Sequence, residues 1–311
     1  MLGNNFRHIY VSHFKDATAP LIQLKTSLSS VASLPTAIQM SFTKYETDTG
    51  DEKVPLLIMH GLFGSKSNWN SMSKAFLKQL NRNVFYPTMD ARNHGESRHT
   101  NEFSYHHLVV DINRFFEDYK LRQASLLGHS MGGRAMMLFA LNYPEKVEKL
   151  IIVDISPYPS SKRMHGMKVY FDALKGVKLP NDLTMPEARK QADQQLSQSI
   201  ADGDIRQFLL TNLIKKNNGD YGWRVNLDTL SVKFDSAIVD FPQNINLICT
   251  KPTLFIGGTK SDYLRPSDES GIINLFPAAK FIYLDSGHWV HAEKPQEFIS
   301  VVSDFINSPR S

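Results

Sequence analysis

The residues with the most chemical content are Gly128-His129-Ser130-Met131-Gly132-Gly133. A serine with glycine two residues to either side matches the Gly-x-Ser-x-Gly nucleophile elbow, a sharp strand-to-helix turn that exposes Oγ at the top of a sheet. Such a turn forces the serine into a strained backbone conformation, and the glycines leave room where side chains would strike neighbouring backbone. The setting agrees with this. The apolar Ser125-Leu126-Leu127 precedes the motif and a helical pattern over residues 134–141 follows it. No lysine stands where a phosphate-binding loop would need one. Ser130 is therefore the candidate nucleophile for attack on an acyl group.

Such a nucleophile needs an oxyanion site, a base and an acid. His60-Gly61-Leu62-Phe63-Gly64 directly follows the apolar run 56–59. A backbone N–H from that loop would join the N–H of the residue after the nucleophile in holding the oxyanion. Leu62 and Met131 are the candidate donors, with Phe63 an alternative to Leu62 because loop geometry decides which amide points inward. His60 reads as a loop-shaping residue. The base comes last in chain order in such enzymes, and His288, in Gly287-His288-Trp289 after the run 281–284, fits that place among 11 histidines. His291 lies in the same turn without a preceding glycine, and His94, His106 and His107 fall beside the first half of the sheet. Two aspartates end apolar runs where an open α/β sheet places its ligands: Asp154 after 150–153, and Asp262 beyond 254–258. Position alone leans to Asp262, since most related folds carry the acid there, 26 residues before His288. Asp285 reads as a turn residue.

The elements that must position these groups alternate. Short runs apolar on both faces occur at 55–60, 83–89, 124–128, 149–155, 252–257 and 280–284, as expected of strands in a parallel sheet covered on both sides. Helical spacing links Trp69, Met72, Phe76 and Leu80, then Leu108, Ile112, Phe115 and Tyr119, and finally Phe298, Val301, Val302 and Phe305. The alternation predicts a doubly wound α/β sheet. It breaks over about 157–240, where helical stretches follow one another without a strong strand candidate, which predicts an inserted cap. Within it, Met164, Met167, Phe171 and Leu174 share one helical face among four lysines and Arg163. This helix reads as a lid over the cleft or as a helix lying on a membrane surface, with the lid preferred because the site needs a cover.

Composition narrows the classes. Net charge is +4, with 35 basic against 31 acidic residues, and no dense run of like charge suggests nucleic acid. The single cysteine, Cys249, excludes an internal disulfide and a cysteine-based metal cluster. The longest apolar runs fall well short of the roughly 20 residues a membrane span needs. Residues 1–37 contain Arg7, Lys15 and Lys25 against one acid, Asp16, and are rich in Ser and Thr, a bias shared by transit peptides and disordered tails. The folded domain is expected over residues 38–308.

Across 38–308 the sequence resembles the family of α/β hydrolase domain-containing protein 11, with relatives among bacterial esterases and yeast alcohol acyltransferases. The likeness rests on His60-Gly61-Leu62-Phe63-Gly64-Ser65-Lys66, Asp90-Ala91-Arg92-Asn93-His94-Gly95, the elbow, Val153-Asp154-Ile155-Ser156-Pro157, Trp223-Arg224-Val225-Asn226-Leu227 and Gly287-His288-Trp289. It implies an α/β-hydrolase fold with the cap inserted after the sixth strand, and a triad of Ser130, Asp154 and His288, so the acid assignment moves from Asp262 to Asp154. It also implies an acyl-ester substrate, a lipid such as diacylglycerol, and no metal or organic cofactor. Esterase or thioesterase activity, acyl transfer to an alcohol, a mitochondrial matrix location and an association with the 2-oxoglutarate dehydrogenase complex are further implications.

Overall fold

The computed structural model describes residues 35–46, 54–80, 86–158, 166–242 and 246–309. The expected leader lies outside these residues apart from its last three. The body is tied from Thr36 onward. Arg92 Nη2 donates to the Thr36 carbonyl at 2.9 Å, and Ile38 N–H donates to Asp111 Oδ1 at 2.7 Å.

The first half of the sheet is built from β1 (Phe42–Tyr45), β2 (Leu56–Met59), β3 (Tyr86–Met89), β4 (Ala124–His129) and β5 (Val147–Val153), interleaved with α1 (Asn70–Gln79), α2 (Tyr105–Asp118) and α3 (Met131–Asn142). The cap follows, with α4 (Lys168–Gly176), α5 (Met185–Leu196), α6 (Gly203–Leu210), a hairpin of β6 (Leu213–Lys215) and β7 (Tyr221–Trp223), and α7 (Leu227–Lys233) running into a π-turn, Phe234–Val239. The chain then completes the sheet with β8 (Thr253–Gly258), α8 (Glu269–Leu275), β9 (Ala279–Leu284), α9 (Val290–Glu293) and α10 (Pro295–Asn307).

Strand order in the large sheet is β1-β3-β2-β4-β5-β8-β9, parallel except for β1, which pairs antiparallel with β3. Alternation along each strand feeds two cores. Leu56, Ile58, Leu127, Ile151 and Ile256 pack with Trp69 and Phe76 of the α1 side and with Phe298 and Val302 of α10. Leu57, Met59, Leu126, Leu150 and Phe255 belong to the opposite core with α2 and α3. Because both faces are covered, the central strands carry no polar face, which is why they read as continuous apolar runs.

Among the described residues five strands of the sheet precede the cap, with only β1 before β2. The cap also holds the β6–β7 hairpin, paired from Leu213↔Trp223 to Lys215↔Tyr221. Its three-residue strands are too short to leave a period in the sequence. The amphipathic cap helix is α4. Phe171 and Leu174 are buried on its inner side, and Met164 lies outside the described residues.

Candidate active site

The chain runs from β2 outward to β3 and then crosses back to lay β4 on the other flank of β2. This reversal opens a crevice at the carboxyl ends of β2 and β4, the place where open α/β sheets bind ligands. The loop 60–64 leaves β2 there, and Ser130 leaves β4. Ser130 stands between strand and helix with φ 54° and ψ −120°, a conformation L-residues rarely adopt. Its N–H donates to the Val153 carbonyl at 3.0 Å, and its carbonyl accepts from Arg134 N–H at 3.1 Å, so both sides of the turn are held. The helix crosses close above β2. A Cβ at position 132 would come within 2.5 Å of the Met59 and His60 carbonyl oxygens, so only glycine fits.

One strand further, Val153 pairs with His129 in register, which places Asp154 beside the elbow. Asp154 also has positive φ, 48°, and is fully buried. Its carboxylate faces three donors. Gly258 N–H reaches Oδ1 at 2.9 Å, the Ser261 hydroxyl donates to Oδ2, and His288 Nδ1 lies 2.7 Å from Oδ2. A carboxylate has no proton to give at that contact, so Nδ1 carries the hydrogen and Nε2 keeps a free lone pair. Tyr263 stacks on the imidazole at 3.9 Å between ring centres. His129 Nε2 donates to the His288 carbonyl at 3.0 Å. Burial holds the His129 pKa well below the ordinary value, with the neighbouring His288 and His291 adding to the effect, so His129 acts as a neutral donor. Ser130 and His288 are not hydrogen-bonded to each other here. Free enzymes often keep that contact long and close it around substrate.

Leu62 and Met131 border one cavity with Ser130. Phe63, the alternative donor, takes φ 61° and turns toward the cap: its ring lies 4.7 Å from that of Phe171, and its carbonyl accepts from Asn212 Nδ2 at 2.7 Å. His60 shapes the loop. Its Nδ1 donates to the Gly61 carbonyl at 2.7 Å and its Nε2 accepts from Ala91 N–H at 3.1 Å.

This arrangement has known counterparts. The alpha/beta hydrolase fold family matches residues 54–295. The chain is 40% identical over 275 residues to the sn-1-specific diacylglycerol lipase ABHD11 of Danio rerio, covering 88% of this chain and 85% of that one. It is 42% identical over 264 residues to the protein of the same name from Mus musculus, covering 84% of each. The chain belongs to the α/β hydrolase domain-containing protein 11 family. Its structure also resembles the solved structure of a marine microorganism esterase, with TM-score 0.78, 33% identity and coverage of 86% of this chain and 100% of that one. The chain is thus a hydrolase of the esterase type.

Several residues of this family member were not singled out from sequence. Ser261 and Gly258 donate to Asp154 from the loop on which most related folds carry the acid. Ser261 neighbours Asp262, so attention to that loop would have reached it. Arg134 is buried at 1% exposure and donates to the Ile238 and Val239 carbonyls at 3.3 and 2.5 Å. With the Tyr105 hydroxyl, 2.7 Å from the Ile238 carbonyl, it satisfies groups at the end of the π-turn. A helical arginine gives no such signal in one sequence.

Proposed function

We propose that this chain hydrolyses carboxylic acyl esters of lipid character, glycerides among them, using Ser130 as nucleophile, His288 as general base and acid, and Asp154 as the group that orients the imidazole. The observation that carries this reading is the 2.7 Å contact of His288 Nδ1 with buried Asp154, one strand from a serine in strained geometry. With Nδ1 donating to Asp154, Nε2 takes the Ser130 proton as Oγ attacks the ester carbonyl. The N–H groups of Leu62 and Met131 hold the oxyanion. His288 then returns the proton to the leaving alcohol. Water attacks the acyl-enzyme by the same route and releases the acid.

Support for an apolar substrate comes from the walls: Met131, Ile155, Met167, Phe234 and Ile238 surround the nucleophile, and methionine walls adapt to flexible chains. The relatives named diacylglycerol lipase point the same way. The test is labelling with a fluorophosphonate, followed by assay of soluble esters and diacylglycerol with product analysis in the presence of ethanol. Labelling and hydrolysis that both vanish in Ser130→Ala are expected. Hydrolysis surviving in that variant would overturn the assignment, and ethyl esters replacing free acid would move the reading to acyl transfer.

A further inference from the structure

His288 belongs to a row of rings. Tyr263 stacks on it with centres 3.9 Å apart and planes inclined by 24°, and His129 leans against it at 4.7 Å and 42°. His129 in turn meets His291 at 4.8 Å, and His291 stacks on Trp69 at 4.4 Å. Tyr263, His129 and His291 are all buried. Tyr263 comes from the loop that braces the acid. Its N–H donates to Ser261 Oγ at 3.3 Å, its carbonyl accepts from Ser156 N–H at 2.9 Å, and Ser261 itself donates to Asp154. The acid and the stacked ring therefore reach the imidazole as one unit, with Asp154 at its Nδ1 edge and Tyr263 across its face.

That face has a task beyond packing, given the reading above that His288 is the general base. When Nε2 takes the proton of Ser130 Oγ, the imidazole becomes an imidazolium, and it does so again when it takes a proton from the attacking water. Asp154 answers this charge in the ring plane. The face of an aromatic ring carries the negative part of its quadrupole. A cation over that face is attracted to it, most strongly where water is excluded. A neutral imidazole gains much less, so the attraction grows toward the transition state and lowers the barrier. The neighbouring histidines do not oppose it, because burial holds His129 and His291 neutral. The other charged groups at the adjoining groove, Lys260, Asp202, Asp204 and Glu293, are exposed and screened by solvent. We infer that Tyr263 is a positioning residue whose ring face both holds the imidazole in line with Asp154 and stabilises the imidazolium formed in each half-reaction. The ring electrons, not the hydroxyl, carry the effect.

The test grades the ring face in the full chain. Tyr263→Phe keeps the face, serves as the reference and should retain most of kcat. Phenylalanines carrying one, two and three ring fluorines, inserted at position 263 by suppression of an amber codon, drain the negative face while leaving size and stacking nearly unchanged. On a soluble ester, kcat and kcat/KM should fall stepwise along that series to about tenfold below Tyr263→Phe, or about 1.4 kcal/mol, with KM steady. Tyr263→Leu keeps apolar bulk, loses the face and should fall at least as far. Melting temperatures show which variants fold, and the fluorinated series decides the matter should the leucine variant fail. A flat fluorinated series overturns the inference even where Tyr263→Leu loses activity, since packing alone would then explain that loss. Ser130→Ala separates the two claims: hydrolysis that survives in it refutes the ester-hydrolase reading, whereas hydrolysis that needs Ser130 but ignores fluorination refutes this inference alone.

Discussion

Asp154 receives three hydrogen bonds on two oxygens, and each bond answers a different need. Gly258 N–H and Ser261 Oγ–H hold the carboxylate in place, leaving Oδ2 directed at His288 Nδ1. A buried carboxylate without such donors would carry a desolvation cost of several kcal/mol. Three substitutions should therefore fall in order. Asp154→Asn offers an amide where Nδ1–H needs an acceptor, disfavours the productive tautomer and should lower kcat by about 10⁴-fold. Ser261→Ala removes one of the two donors that orient the carboxylate and should lower kcat by about ten- to a hundredfold, as losing a hydrogen bond to a charged group predicts, with KM little changed and Ser261→Thr restoring part of the rate. Asp262→Asn should have little effect. Steady-state kinetics on a soluble ester, with melting temperatures as control, check the series, and a larger loss in Asp262→Asn than in Asp154→Asn would sink it. Ser130 and His288 were legible in the sequence because each stands in a local motif. The acid could not be read from position alone, which leans to Asp262, because Val153 pairs with Ile256 and the loops after those strands end side by side. The family resemblance moves the assignment to Asp154, and in the structure it is the Asp154 carboxylate that faces the imidazole.

The cap and the sheet meet through a few polar ties, and the shortest of them to the oxyanion loop comes from Asn212, after α6. Its Nδ2 donates to the Phe63 carbonyl at 2.7 Å and to the Leu209 carbonyl at 3.4 Å, with the side chain nearly fully buried. Phe63 is held at φ 61° beside Leu62, so this bond steadies the segment proposed to carry the oxyanion donor. Asn212→Ala leaves a buried carbonyl unpaired and should cost about 1–3 kcal/mol of stability. If the loop also relaxes, kcat should drop by about tenfold or more, since an oxyanion donor depends on its placement. Urea unfolding and kcat measured on the same preparation test this, and lost stability with unchanged kcat would refute the link between cap and oxyanion loop. The central strands and the helices flanking the sheet could be read from their apolar periods, because burial on one or both faces imposes those periods. The β6–β7 hairpin and the π-turn could not. Three residues are too few for a period, and the wide turn depends on Arg134 and Tyr105, roughly a hundred residues upstream.

At the scale of the whole molecule, the crevice forms where strand order reverses, and a set of buried histidines surrounds it. His60, His94, His129 and His291 are all buried, and burial is the largest cause of a lowered pKa in each. For His94 and His291 the value falls to about 3. These side chains stay neutral in the folded chain but protonate near 6.5 once unfolded. The stability they contribute is therefore complete above about pH 6.5 and is lost as pH falls toward 3, because the unfolded chain binds more protons over that range. Asp111 works in the opposite sense: burial raises its carboxyl to about 6 against the pull of Arg92, so the folded chain holds its proton more tightly below that value. Comparing variants of one histidine cancels that contribution. His291 is the best placed, since it stacks on Trp69 at 4.4 Å and 14° and its Nδ1 has no hydrogen-bond partner among the described residues. His291→Phe should keep the stack while removing the titrating group. Unfolding free energies from urea titrations at pH 5 and pH 8 should then show a smaller acid loss in the variant, by up to about 1.4 kcal/mol for each pH unit below 6.5. Equal losses in variant and wild type would mean that His291 does not titrate on unfolding, against the lowered value its burial gives it.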